Sequence, residues 1–200
     1  NGSMNLTGIG DVHLTETDVP GSISVATMGG TITGSGVLSA QSLDVSALGG
    51  DVGQKDNPLV AKVPLLNAQG RNVYIRNLTD TTVGNITAGG EAQIDVDGSI
   101  QGDGVTRPNI TAADLTLYAD GDIGSKIQPL DTVVDAFHGS GEDIFLDNHS
   151  PNLNVTHVNS NGLHIHTDGN ITGRKIVTRN ITIHADGNVG TKDTPMVFWA

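Results

Sequence analysis

The sequence predicts an all-β solenoid, a single-stranded right-handed parallel β-helix running through residues 1–200 as one domain. Three observations carry that prediction. A bent unit recurs three times, at residues 43–59 (LDVSALGGDVGQKDNPL), 115–130 (LTLYADGDIGSKIQPL) and 181–196 (ITIHADGNVGTKDTPM). Its marker glycines Gly53, Gly124 and Gly190 recur at nearly equal intervals, and self-similarity at a long, steady spacing is the mark of a repeat architecture. Between the units, short runs alternate apolar and polar residues, stop at Gly, Asn or Asp, and carry no helical periodicity.

Each unit reads the same way. Leu115, Leu117 and Ala119 alternate with Thr116 and Tyr118, so one strand face is apolar. Asp120-Gly121 supplies a turn, and Gly124 permits a second sharp bend. Pro58, Pro129 and Pro195 cannot donate to a ladder and so belong at strand starts or corners. In chain order, the first block gives Val12-x-Leu14, Ile23-x-Val25, a weaker Thr31-Ile32-Thr33 and Leu43-x-Val45. The second gives Val73-x-Ile75, Ile86, Ile94-x-Val96 and Leu115-x-Leu117. The third gives Ile144-x-Leu146, Leu153-x-Val155, Leu163-x-Ile165 and Ile181-x-Ile183.

No run leaves room for a crossover helix, and turn dipeptides of the Asn-Gly kind do not separate each pair of runs, which argues against a chain of tight hairpins. A coil in which each strand pairs with its copy one turn later satisfies both facts. The long spacing divides into about three coils of roughly 22 residues. Nine or so coils at ~4.8 Å make a rod near ~40 Å long. No six-residue period supports the left-handed form, and an antiparallel β-sandwich is the alternative reading of short strands.

Composition narrows the function. Gly is 27 of 200 residues and aromatics are 3%, so the core is built from Val, Ile, Leu and Ala with many corners. A net charge of −12 with ten scattered Lys and Arg disfavours nucleic acid and anionic membranes. The lack of Cys excludes zinc–thiolate sites, iron–sulfur clusters and thiol catalysis. No apolar run approaches the ~18 residues of a membrane span. Residues 1–4 (NGSM) read either as a cloning remnant or as the tail of a preceding repeat.

Candidate chemistry is sparse. Six of the seven histidines fall between His138 and His184. GLHIHTDGN (162–170) and NITIHADGN (180–188) align with each other, which pairs His166 with His184 and Asp168 with Asp186. On stacked coils these four form an outer ladder, with Leu163, Ile165, Ile181 and Ile183 inside. Two imidazoles and two carboxylates could bind a transition metal, but Tyr118 replaces His in the middle copy, which favours a solvated outer ladder. Asp95-Val96-Asp97-Gly98 and Asp120-Gly121-Asp122 suggest calcium but fit neither the EF-hand nor the nonapeptide spacing, and turn chemistry accounts for them. Asn-x-Ser/Thr occurs nine times. It is a glycosylation acceptor motif, and also what a strand entry with alternating Ile and Thr produces. Glu142, Asp143 and Asp147 are the one tight acidic group, and Arg174, Lys175 and Arg179 the one basic group; both read as loop charges. Nucleophile elbows and phosphate loops are missing.

The ADGDIG…PL and ADGNVG…PM units resemble the passenger repeats of very large secreted bacterial adhesins, the filamentous-haemagglutinin-like group with its leukotoxin-like members exported by two-partner secretion. The resemblance covers nearly the whole chain. It implies a right-handed parallel β-helix at the bacterial cell surface or in the medium. Its role there would be attachment to a host-cell protein or glycan, or cytotoxicity. A polysaccharide lyase or hydrolase is the enzymatic alternative on the same fold. No site residue follows from a motif that is structural, and neither a cofactor nor a catalytic group is expected. The chain begins inside one long repeat and stops just after the third proline, so it reads as a segment of a longer rod. Phe198 and Trp199 would then lie on an uncovered coil, and end-to-end association would follow.

Overall fold

The structure, a computed structural model, describes residues 2–199. Every regular element among them is a β-strand, and every strand pairing is parallel. The chain winds through about 10 coils. Successive coils start at Met4, Ser22, Ser42, Leu65, Thr81, Ile100, Ile123, Asp143, Gly162 and Asn180. At a strand spacing of ~4.8 Å the rod is roughly 45–50 Å long. This is a parallel β-helix.

Each coil contributes to two stacks. In the first half of coil 3, strand Ser42–Leu48 lies between Ser22–Met28 and Leu65–Gly70. In the second half, Val52 and strand Leu59–Lys62 lie under strand Val73–Asn77. Alternation places one residue of every pair inside. Ile23, Leu43 and Leu66 stack in one column, and Ile94 and Leu117 in another, all with no exposed surface. Burying each such side chain contributes about 1.5–3 kcal/mol. One Phe, Phe137, is the largest fully buried group, so aliphatic ladders make the core.

The long repeat is not three coils. Coil length varies along the rod: Leu43 pairs with Leu66, but Leu163 pairs with Ile181 and Leu130 with Leu146. Val52 leads through Val73 and Ala92 to Leu115, three coils on, and Ile123 lies half a coil beyond in the other stack. Ile123 leads likewise through Ile144 and Leu163 to Ile181, with Val189 half a coil beyond. The spacing is therefore three and a half coils, and the signature loops alternate between the two stacks.

These loops are the same object three times. Gly53, Gly124 and Gly190 take φ of 68°, 67° and 66°. Their N–H groups donate to Ile32 O (2.8 Å), Ile100 O (2.7 Å) and Ile171 O (2.7 Å), one coil back. The next four residues close with Gln54 N to Asn57 O at 3.1 Å, Ser125 N to Gln128 O at 2.9 Å and Thr191 N to Thr194 O at 3.0 Å. A Cβ on Gly124 would fall 2.4 Å from Phe145 O, so both conformation and space demand glycine.

Corner Asp, Asn and Ser residues clamp one coil to the next. Asp11 Oδ1 accepts from Thr31 N (2.8 Å), Thr31 Oγ1 from Asp51 N (3.4 Å), Asp51 Oδ1 from Asn72 N (3.1 Å) and Asn72 Oδ1 from Glu91 N (2.9 Å). A second staircase runs from Asp80 through Ser99 and Asp122 to Asp143 at 2.7, 3.2 and 3.0 Å. Two of the four carboxylates that suggested calcium are thus engaged with protein: Asp122 in this staircase, and Asp97 with Arg76 Nη2 at 3.2 Å. Three Asn-x-Ser/Thr asparagines, Asn77, Asn109 and Asn148, are buried. Asn148 accepts from Val134 N (3.0 Å) and donates to Val134 O (3.2 Å), and Asn77 does the same with Val63 (3.0 and 2.9 Å). Their amides serve main-chain groups that would otherwise be buried without partners.

One expectation about the core needs correcting. Leu163 and Ile165 are buried, but Ile183 is only partly so and Ile181 is 38% exposed. Strand Phe198–Trp199 of coil 10 lies over Ile176 and Val177 of coil 9, and among the described residues no strand lies over Ile181.

Candidate functional site

Strand register assembles a line of ionisable side chains on the outside of coils 7 to 10. Asp131 pairs with Asp147, Asp147 with His166, and His166 with His184. The inward neighbours Leu130, Leu146, Ile165 and Ile183 share that register, which forces these four outward. Just past the ends of the strands that carry Asp147, His166 and His184 stand His149, Asp168 and Asp186. The result is a grid in which imidazoles and carboxylates meet across coils.

The contacts follow that grid. His166 Nδ1 lies 2.7 Å from Asp147 Oδ1, and His149 Nδ1 lies 2.7 Å from Asp168 Oδ2. The His166 and His184 rings stack with centroids 5.1 Å apart and planes 15° apart. His184 Nε2 reaches Asp186 Oδ1 at 3.8 Å. His166, His184 and Asp186 therefore come within reach of one ion, as do Asp147, His166 and Asp168, and Asp131, Asp147 and His149. Of the four residues singled out in the sequence, His166, His184 and Asp186 form one such group. Asp168 turns instead to His149.

Comparison with known proteins gives no matching family model, no matching curated protein and no matching solved structure. The chemistry of the site rests on its own geometry.

Asp131, Asp147 and His149 were not visible as a site in the sequence. Asp147 reads there as a loop charge, yet it lies on strand Asp143–Asn148. The coil from Asp131 to Asp147 is shorter than the one from His166 to His184, and carrying that longer step back from His166 lands on buried Asn148 instead. Asp131 is 4% exposed. The inserted loop 103–109 covers it: Asp131 N donates to Asn109 Oδ1 at 3.3 Å, and Arg107 Nη1 stands 3.5 Å from Asp131 Oδ2. Asp103 organises that loop by accepting from Val105 N, Thr106 N and Thr106 Oγ1 at 2.9, 2.7 and 2.6 Å. Burial pushes the Asp103 carboxyl up, but these bonds outweigh it and hold the pKa below the ordinary value. At His149, burial opposes protonation. The bond to Asp168 and the charges of Asp131 and Asp147 outweigh that and raise its pKa.

A smaller cluster lies on the other stack. His138 and His157 stack at 5.8 Å, and His157 Nε2 lies 3.1 Å from Lys175 Nζ. The Lys175 charge lowers the His157 pKa. His157 and Lys175 take positive φ of 54° and 56°; His157 sits at a bulge of its strand against Leu130–Ser140, and Lys175 lies level with it on the next coil. Arg174, Lys175 and Arg179 thus lie on strand Asn170–Ala185, with only Lys175 at positive φ, and are not loop charges.

Proposed function

We propose that this β-helix is an adhesive module of a large secreted or surface-exposed bacterial adhesin, presenting its strand faces and loops to a host-cell surface protein or glycan. The observation that carries the reading is the placement of the three signature loops. Their repeated atoms are main-chain bends, so what recurs is a scaffold, and its half-coil offset displays loops from both stacks of one rod. The outward positions of Ser22–Met28, Ser42–Leu48 and Leu65–Gly70 include Ser22, Ser24, Ser42, Asp44, Ser46, Asn67 and Gln69, which suits contact with polar surfaces. The protein acts by attachment rather than turnover.

The test is binding of the labelled chain to cultured epithelial cells and erythrocytes, with a glycan array alongside. Saturable binding, competed by unlabelled chain, is expected. Lysis of leukocytes without stable attachment supports the toxin reading instead. Cleavage of a polysaccharide, abolished by Asp147→Asn, would replace attachment with catalysis.

A further inference from the structure

We propose that Asp131, Asp147 and His149 bind a divalent transition-metal ion of the zinc class, clasping coil 7 to coil 8. Asp131 comes from coil 7, and the other two from coil 8, two residues apart at one strand end. One ligand atom from each lies within 4.8 Å of the others.

The decisive observation is an orphaned oxygen. Asp131 Oδ1 is buried and has no hydrogen-bond partner among the described residues. His149 Nε2 stands 3.4 Å from it without a hydrogen bond. Two ligands held ~2.05 Å from a tetrahedral zinc ion are ~3.3 Å apart. A buried carboxylate oxygen left without a partner costs free energy, and a second carboxylate, Asp147, lies beside it in register. A cation between them removes both penalties.

The surrounding residues already hold the three in a ligating state. His149 Nδ1 faces Asp168 Oδ2 at 2.7 Å, so the second nitrogen, Nε2, is the one turned to Asp131. A carboxylate on the far side of a histidine fixes tautomer and ring orientation in metal sites. Asp147 Oδ1 is taken by His166 at 2.7 Å, which leaves Oδ2 for an ion. Arg107 stands on Asp131 Oδ2, which leaves Oδ1. One imidazole and two carboxylates suit zinc, cobalt or manganese better than soft ions. In the outer pair, His184 lacks such a frame: its side chain is 73% exposed, and its carboxylate contact, to Asp186, is 3.8 Å.

The experiment uses the untagged chain, stripped with chelator and titrated with Co²⁺ and Zn²⁺. Calorimetry gives the affinity and cobalt absorption the geometry. A single ion and a metal-dependent rise in Tm are expected. Asp131→Asn and His149→Gln each weaken binding by about tenfold or more, and Asp168→Asn by roughly 10–100-fold, the size of an orienting effect. His184→Ala leaves affinity unchanged. Metal-free melts of every variant check folding. His149→Gln carries the test if Asp131→Asn is unstable, since the His149 side chain is 36% exposed. The proposal is overturned if no ion binds. It is also overturned if affinity survives His149→Gln and falls in His184→Ala, or if Ca²⁺ and Mg²⁺ bind as tightly as Zn²⁺.

Discussion

At the scale of single residues, glycine and the carboxylates separate two kinds of constraint. Gly124 and Gly10 both have positive φ, 67° and 87°. A Cβ at Gly124 meets Phe145 O at 2.4 Å and Leu130 N at 2.7 Å, whereas at Gly10 it meets nothing within 4 Å. Gly10→Ala therefore costs only the left-handed backbone, about 1–2 kcal/mol. Gly124→Ala adds a clash with main chain that cannot move aside, and costs about 3 kcal/mol or more. Urea titration of both variants checks this, and equal costs would mean the loop relaxes around the methyl. The sequence made Gly124 legible because conformation is a local property. It left Asp131 illegible because its environment is lateral. Arg107, Asp147 and His149 reach it from an inserted loop and the next coil, and no spacing rule links positions 107, 131 and 147.

At the scale of elements, a ladder position has a depth along the rod as well as a face. Ile165 and Ile183 are register neighbours, but Ile165 is 3% exposed and Ile183 only partly buried. Ile165→Asp places a charge between covered coils and costs at least ~3 kcal/mol, while Ile183→Asp, with water at hand, costs about 1 kcal/mol. Denaturant midpoints of the two variants decide it; a cost at Ile183 as large as at Ile165 restores it to the core. The corner staircase adds a pH dependence. Asp51 is held below its ordinary value of 3.8 by the Arg71 hydrogen bond, with Asn72 also donating. A lowered carboxylate stabilises the fold fully above its unfolded pKa, and that contribution is lost as pH falls through the folded value. Arg71 is 65% exposed, so solvent screening keeps the contribution of the ion pair small. Melting of wild type and Asp51→Asn at about pH 5 and pH 3 should give a difference that shrinks on acidification; a constant difference refutes the assignment. Alternation and turn residues made the strands and their parallel stacking legible. The coil count per repeat was not, because the step from Leu43 to Leu66 is longer than that from Leu163 to Ile181, and the loops before Pro58 and Pro129 hide inside that variation.

At the scale of the molecule, stacked coils contact only their neighbours, so stability is close to a sum of coil and interface terms and falls toward uncovered coils. Coil 10 shows what an uncovered coil exposes. Ile181 is 38% exposed, Val189 54%, Val197 40%, Phe198 45% and Trp199 62%. These side chains form an apolar surface beside a strand, Asn170–Ala185, whose latter half has no partner on its outer edge among the described residues. Apolar surface and an open strand edge are the two features that drive edge-to-edge pairing. The charge of −12 opposes close approach of two copies, so association should be weak at low salt and strengthen as salt screens it. The chain's single Trp is Trp199, which makes its fluorescence a reporter of that coil alone. Dilute protein should emit at the long wavelength of a wet indole. Raising protein concentration or salt should shift the emission to shorter wavelength while light scattering records a larger particle. Phe198→Ser removes one of the two exposed aromatics on that strand and should weaken both responses together. If size grows while Trp199 emission stays fixed, the copies meet elsewhere on the rod. If neither changes, coil 10 is sufficiently covered by its own loop from Thr191 to Val197.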